Sequence, residues 1–150
     1  MRRSIRNGAF LVALGAWATA GLGAWTPQDR PNQSAGSAHH QPEAARIKNP
    51  VAADAGSIAA GLALYQKLCV GCHGDTGKGD GALGDELNPK PADLTDGQWK
   101  HGSTDGEIFT AIRNGIRSTG MKAYGRKMTT HQLWDVVNYL RSIGPKTGSH

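Results

Sequence analysis

The chain has 150 residues, a formal charge of +5 and 21 glycines, which is room for one ordinary domain with appendages but too little for an enzyme with separate cofactor and substrate lobes. Only 34 of the 97 residues from position 54 onward are apolar, thin for a domain whose size already limits the surface it can bury, so something besides side chains should help fill its core. The basic excess does not indicate nucleic acid, because Arg2, Arg3 and Arg6 crowd the N-terminus and no Lys/Arg run interleaved with aromatics follows; the glycines keep no triplet repeat, which excludes a collagen-like chain.

In chain order, the basic opening Met1 to Arg6 precedes an uncharged apolar run from Gly8 to Trp25, the layout of a secretory signal. Ala18-Thr19-Ala20 offers a cleavage site; left uncut, the run approaches the length of a membrane-spanning helix. Residues 1–25 are therefore expected to be a signal peptide or an N-terminal membrane anchor, and both place the remainder outside the cytoplasm. Residues 26–53, with early prolines, small polar residues and no apolar periodicity, are expected to be a disordered linker. The His39-His40 pair within them belongs to a solvated stretch. The folded domain is expected to occupy 54–150.

Asp54 or Ser57 can cap a first helix, whose apolar stripe is Ile58, Leu62, Tyr65 and Leu68. Gly61 inside it costs about 1 kcal/mol relative to alanine and asks for a packing reason. The only cysteines follow, in Cys69-Val70-Gly71-Cys72-His73. A thioredoxin-type dithiol needs a preceding strand, a structural zinc site needs four ligands, and neither condition is met; a plain disulfide in an exported protein is the bland alternative. Cys-x-x-Cys-His is the attachment signature of haem c, with two thiols for the two vinyl groups and an adjacent imidazole for the iron. A planar apolar cofactor would also supply the missing core.

Gly79 to Gly84 matches G-x-G-x-x-G but follows no strand, so these are turn glycines and not a nucleotide site. Thr104 with Glu107 forms a capping box that opens a helix through Ile108, Phe109, Ala111 and Ile112 to Asn114-Gly115. Thr129 with Gln132 opens another, with Leu133, Trp134, Val136, Val137, Tyr139, Leu140 and Ile143 apolar and Gly144-Pro145 as its stop. Trp134 is expected in the core. No segment alternates with period two, so the fold class is all-α with long irregular loops. A second axial ligand could come from Met121, Met128, His101 or His131. Met121 follows Gly120 in an irregular stretch where backbone can approach a ring, whereas Met128 abuts the last helix cap and should pack as core. Thioether ligation raises the potential of haem iron.

From about Pro50 to Ile143 the chain resembles the mono-haem class I c-type cytochromes of bacteria, found as electron carriers and as haem modules of dehydrogenases and terminal oxidases. The resemblance rests on Cys69 to Gly74, Pro91-Ala92-Asp93-Leu94-Thr95-Asp96, Thr104 to Phe109, Gly120-Met121 and Trp134 to Arg141. It implies the class I cytochrome c fold around one covalent haem c, bound by Cys69 and Cys72, with His73 and Met121 as metal ligands. Met121 lies 48 residues after His73, the family's usual placement, although Lys122 stands where proline is more common, which loosens that loop. The resemblance also implies that Gly61 and Tyr65 meet Val136 and Tyr139 to Leu140 where the first and last helices cross. The helix opened by Thr104 would form a haem wall. A carbonyl at Pro89 or Pro91 would accept from the His73 ring, and Leu94 and Trp99 would border the haem, Trp99 as packing or as donor to a propionate. The implied function is one-electron transfer in a periplasmic or outer-face respiratory or dehydrogenase chain, between protein donor and acceptor. The clustered bases Arg113, Arg117, Lys122, Arg126 and Lys127 would steer an acidic partner if they ring the haem edge, or else form a solvated basic face. The alternatives are a five-coordinate haem that binds gas or peroxide, or a permanent subunit of a larger oxidoreductase. No acid/base pair or substrate pocket marks the chain itself as an enzyme.

Overall fold

A computed structural model describes residues 41–97 and 99–145. The signal or anchor segment 1–25 and most of the linker lie outside the described residues. Those described form five helices and no strand: α1 Pro42–Ala45, α2 Ala55–Leu68, α3 Val70–His73, α4 Asp105–Asn114 and α5 Thr130–Ile143. The all-α expectation holds among them.

Of the two candidate caps for α2, Asp54 serves: its carboxylate accepts from the Ser57 N–H at 2.8 Å. Ser57 is turned elsewhere, donating its hydroxyl to Asp135 of α5 at 2.6 Å. α2 and α5 share the largest helix interface, and Gly61 marks the crossing. A Cβ there would lie 2.0 Å from the Asp135 carbonyl oxygen and 2.8 Å from the Tyr139 Cβ, so only glycine lets the two backbones come this close. Tyr65 packs its ring 5.0 Å from that of Tyr139. Val136 and Leu140 are buried in the same core. Leu62, placed on the apolar stripe by spacing, is instead 37% exposed. The contact line runs through Gly61, and the next residue is rotated about 100° off it.

α5 is buried continuously from Leu133 to Leu140, because α4 packs on it as well. Phe109 of α4 stacks on Trp134 with ring centroids 4.1 Å apart and planes 16° off parallel, which puts Trp134 in the core as expected. Both predicted capping boxes are present, Thr104 with Glu107 and Thr129 with Gln132. Enclosing α5 also buries Asp135 and Asn138, and buried polar groups need partners. Asn138 finds them in the segment before α2 and in the first turn of α2: its side-chain oxygen accepts from Asn49 at 2.7 Å, and its nitrogen faces the carbonyls of Val51 and Ala52 and the Ser57 hydroxyl at 3.3, 3.2 and 2.9 Å.

The chain before Asp54 thus departs from the expectation of a linker up to residue 53. Ala44 of α1 is buried and its carbonyl lies where a Cβ of Gly106 in α4 would stand. Packing begins before Asp54 because these few contacts reach partners far along the chain, a pairing that local composition does not reveal.

Candidate functional site

Cys69 ends α2, its N–H donating to the Tyr65 carbonyl at 2.8 Å, and the chain turns at once into α3. Within this turn the N–H groups of Cys72 and His73 both donate to the Cys69 carbonyl, at 3.1 and 2.9 Å. Cys69, Cys72 and His73 are thereby held together as the sequence requires. Both cysteines are free thiols, half-buried. Burial, and secondarily Cys72, pushes the Cys69 thiol up to about 11.

His73 points its Nδ1 at the Ala92 carbonyl, 3.3 Å away. A carbonyl can only accept, so Nδ1 carries the proton and Nε2 keeps a free lone pair, the arrangement of a metal-binding imidazole. Burial lowers the ring's pKa and the Ala92 carbonyl opposes that shift. The acceptor is neither Pro89 nor Pro91. The Pro91 and Ala92 carbonyl oxygens both lie close to Gly79, 2.4 and 3.2 Å from where its Cβ would stand, and it is the Ala92 oxygen that the His73 ring meets.

The glycine-rich loop after His73 lies directly on this turn. Gly81 donates to Cys72 O at 3.2 Å and Leu83 to Gly71 O at 2.7 Å. A Cβ on Gly81 would sit 2.4 Å from Val70 O, and one on Gly84 2.6 Å from Cys72 O. These glycines serve backbone-on-backbone packing beside the cysteines. Tyr65 adds a buried hydroxyl donated to Gly74 O at 2.7 Å, and burial raises its phenol pKa.

On the other side, Met121 sits half-buried against the core. Its loop is fixed by Ile116 N–H to Met121 O and by Met121 N–H to the Thr119 hydroxyl, each at 3.1 Å. Tyr124, which sequence reasoning had not singled out, joins the two halves: its hydroxyl donates to Leu68 O at 2.9 Å, immediately before Cys69. Its phenol pKa is raised by burial first and then by Cys69 and Cys72. The only signal for it was an aromatic three residues after the methionine. Met128 packs in the core at 7% exposure. His131 is exposed and lies 3.7 Å from Asp135, in an open groove of about 560 Å³ with Pro50 and Ser57. His101 is half-buried.

Several features suit a planar, partly apolar group carrying carboxylates. Leu68, Val70, Leu94, Trp99, Met121 and Tyr124 are apolar side chains left half-covered around the core. Trp99 has a buried indole N–H with no acceptor, although its ring is held under the Arg141 guanidinium at 5.5 Å. A buried donor without a partner is costly, and a propionate is an acceptor of the right kind. With two free thiols and a lone pair on His73 Nε2, these residues fit haem c.

Comparison with known proteins agrees. Residues 56–140 match the family described as cytochrome c oxidase, cbb3-type, subunit III. The chain belongs to that family. It is similar to the cbb3-type cytochrome c oxidase subunit CcoP of Azospirillum sp. (strain B510), 31% identical over 64% of this chain and 32% of the relative, and to subunit FixP of Azorhizobium caulinodans, 31% identical over 56% of this chain and 26% of the relative. The chain thus spans about a third of the length of such relatives. Among solved structures it is similar to a reducing HAO-like protein complex of Kuenenia stuttgartiensis, with TM-score 0.61 and 27% identity over 67% of this chain and 49% of that one. It is also similar to cytochrome cL of Methylophaga aminisulfidivorans, with TM-score 0.50 and 26% identity over 59% of this chain and 54% of that one. This cytochrome c domain carries one covalently bound haem c and transfers electrons through it.

Proposed function

We propose that Cys69 and Cys72 would hold haem c through two thioethers, that His73 and Met121 would ligate its iron, and that the domain passes single electrons between protein partners outside the cytoplasm. The observation that carries this is the Tyr124 hydroxyl bond to Leu68 O, which ties the Met121 loop to the start of the Cys69 to His73 turn. When bound, the haem supplies a one-electron iron couple.

The residues around it do the rest. Ala92 holds the His73 ring in one orientation through Nδ1, the hydrogen bond that fixes a ligating imidazole. Thr119 and Ile116 hold the Met121 backbone, so the thioether is presented by a braced loop even with Lys122 where the family favours proline. Trp99 offers its indole N–H to a propionate. Leu68, Val70 and Leu94, half-covered beside the core, would keep water from the bound group, and low polarity together with a thioether ligand would favour the reduced state. The export signal or anchor in residues 1–25 supports a place in the periplasm or on the outer face of the membrane. Arg113, Arg117, Lys122, Arg126 and Lys127 are all exposed, which suits an acidic partner.

Spectroelectrochemical titration of the full holoprotein tests this. A single one-electron transition is expected, with a reduced form that does not bind carbon monoxide. Rapid stoichiometric binding of carbon monoxide would establish an open, five-coordinate iron and overturn the electron-carrier reading. A second reading, a permanent cytochrome subunit of a larger oxidoreductase, is favoured by the relatives being named as oxidase subunits; size-exclusion of the natively purified protein separates it from a free carrier.

A further inference from the structure

The indole of Trp99 lies in a part of the fold that packing alone does not hold still. Trp99 is half-buried. One edge of its ring rests near the end of α5, where a Cβ on Gly144 would stand 3.7 Å from the Trp99 Cζ2. Beside the ring is a cavity of about 80 Å³ lined by Gly97, Trp99, Ser103, Arg141, Gly144 and Pro145, roomier than a single water needs. A large side chain next to unfilled space lacks the neighbours that would fix it. This one also carries a buried N–H with no acceptor among the described residues, so its orientation matters to whatever accepts from it.

What restrains the ring is Arg141. Its guanidinium lies 5.5 Å from the Trp99 ring centroid, within cation–π range, and is itself held from two directions. Its Nε donates to the Asp105 carboxylate at 2.7 Å, and its Nη2 donates to the Ser103 carbonyl. Arg141 belongs to the last turn of α5, Asp105 opens α4 and Ser103 lies in the loop between Trp99 and α4, so one planar group joins two helices and a loop over the face of the indole. The side chains of Arg141 and Asp105 are 34% and 38% exposed, and an ion pair so open to water adds little stability by itself. Its use lies with Trp99: a flat, forked cation can stack on an aromatic face while its N–H groups donate sideways, which an ammonium cannot do.

We propose that Arg141 is a positioning residue: held by Asp105 and Ser103, it keeps the Trp99 indole in the pose that reserves its N–H for a haem propionate, and so helps set the potential at which the domain exchanges electrons. The proposal rests on the propionate role given to Trp99 above and adds the residue that secures it. A donor to a propionate offsets negative charge that otherwise favours ferric iron. Loss of the restraint should therefore lower the potential, although Arg141 is no ligand of the iron.

Midpoint potentials of full holoprotein variants test it. Trp99→Phe, which keeps a ring and removes the N–H, should lower the potential by about 59 mV, a tenfold change in the one-electron equilibrium. Arg141→Gln should lower it comparably, and the two substitutions together should go no lower than Trp99→Phe alone, because groups acting through one contact do not add. Arg141→Lys keeps the charge and loses the fork, so it should shift nearly as far as Arg141→Gln. Asp105→Asn loosens the guanidinium without altering it; it should move the same equilibrium roughly threefold in the same direction, and it reads the same contact if the Arg141 variants do not accumulate holoprotein. Lys100→Gln removes an exposed positive charge from the residue next to Trp99 and, as the control, should move the equilibrium less than about twofold. A wild-type potential in Arg141→Gln or Arg141→Lys beside a lowered one in Trp99→Phe, or additive shifts in the double variant, overturns the positioning role alone. A wild-type potential in Trp99→Phe overturns the propionate role of Trp99, and the positioning role with it.

Discussion

The α2–α5 crossing and the loops around the cysteines hold their parts together in different ways. At the crossing, two long helices meet over a contact that tolerates no Cβ at Gly61, backed by the stacked or tilted rings of Tyr65, Tyr139, Phe109 and Trp134. In the loops there is little to bury, and position is set by single hydrogen bonds: Tyr65 to Gly74, Tyr124 to Leu68, His73 to Ala92, Met121 to Thr119. Stability should therefore be concentrated in the crossing and ligand geometry in the loops, so the two can be perturbed separately.

The largest effect should come from Gly61→Val. A side chain 2.0 Å from a backbone oxygen cannot be relieved by a rotamer change, and the loss should exceed about 3 kcal/mol, read as failure to accumulate holoprotein or as a large fall in Tm. A normal Tm in this variant would mean that the helices do not cross here. Asn138→Ala should come next, at about 2 to 3 kcal/mol in chemical denaturation, because Asn49 and the Val51 and Ala52 carbonyls lose their buried partner. The same variant should make the segment from Asn49 to Ala52 sensitive to protease, which a purely internal role for Asn138 would not.

Tyr124→Phe sharpens the contrast from the other side. It removes one hydrogen bond, about 1 kcal/mol, while freeing the Met121 loop from Leu68; the expected result is a nearly unchanged Tm with a lowered midpoint potential and a weakened methionine signature in the oxidised spectrum. A potential unchanged from wild type would show that the tyrosine does not position the loop. The smallest effect concerns Asp93, half-buried and held below the usual carboxylate range first by the Thr95 hydroxyl and then by its N–H. A carboxyl depressed in the folded state stabilises above its unfolded pKa and ceases to as the pH falls through its folded value. Asp93→Asn should thus lower Tm slightly at neutral pH and not at all in strong acid.

The same division decides what could be read from the sequence. Capping residues act within three positions and apolar stripes recur each turn, so both boxes, α2, α4 and α5 were legible, as was the use of Gly61 once the resemblance supplied its partner helix. Even there, periodicity alone put Leu62 in the contact where Gly61 stands. The Cys69 to His73 turn was legible because its chemistry is local. The carbonyl behind His73 was not: whether Pro89, Pro91 or Ala92 faces the ring depends on how the loop that separates His73 from Ala92 by 19 positions lies on Gly79. Nor could the sequence show that Asn49 reaches across 89 positions to Asn138 and so draws the segment before Asp54 into the fold, or that Tyr124 crosses 56 positions to Leu68.

The most direct test of Met121 as the second axial ligand is the weak far-red charge-transfer band that iron–thioether bonding gives an oxidised haem c. The wild-type holoprotein should show it, Met128→Leu should retain it, and Met121→Ala should lose it while its haem stays covalently attached. Persistence of the band in Met121→Ala, or its loss in Met128→Leu with Met121 intact, would contradict the assignment of Met121.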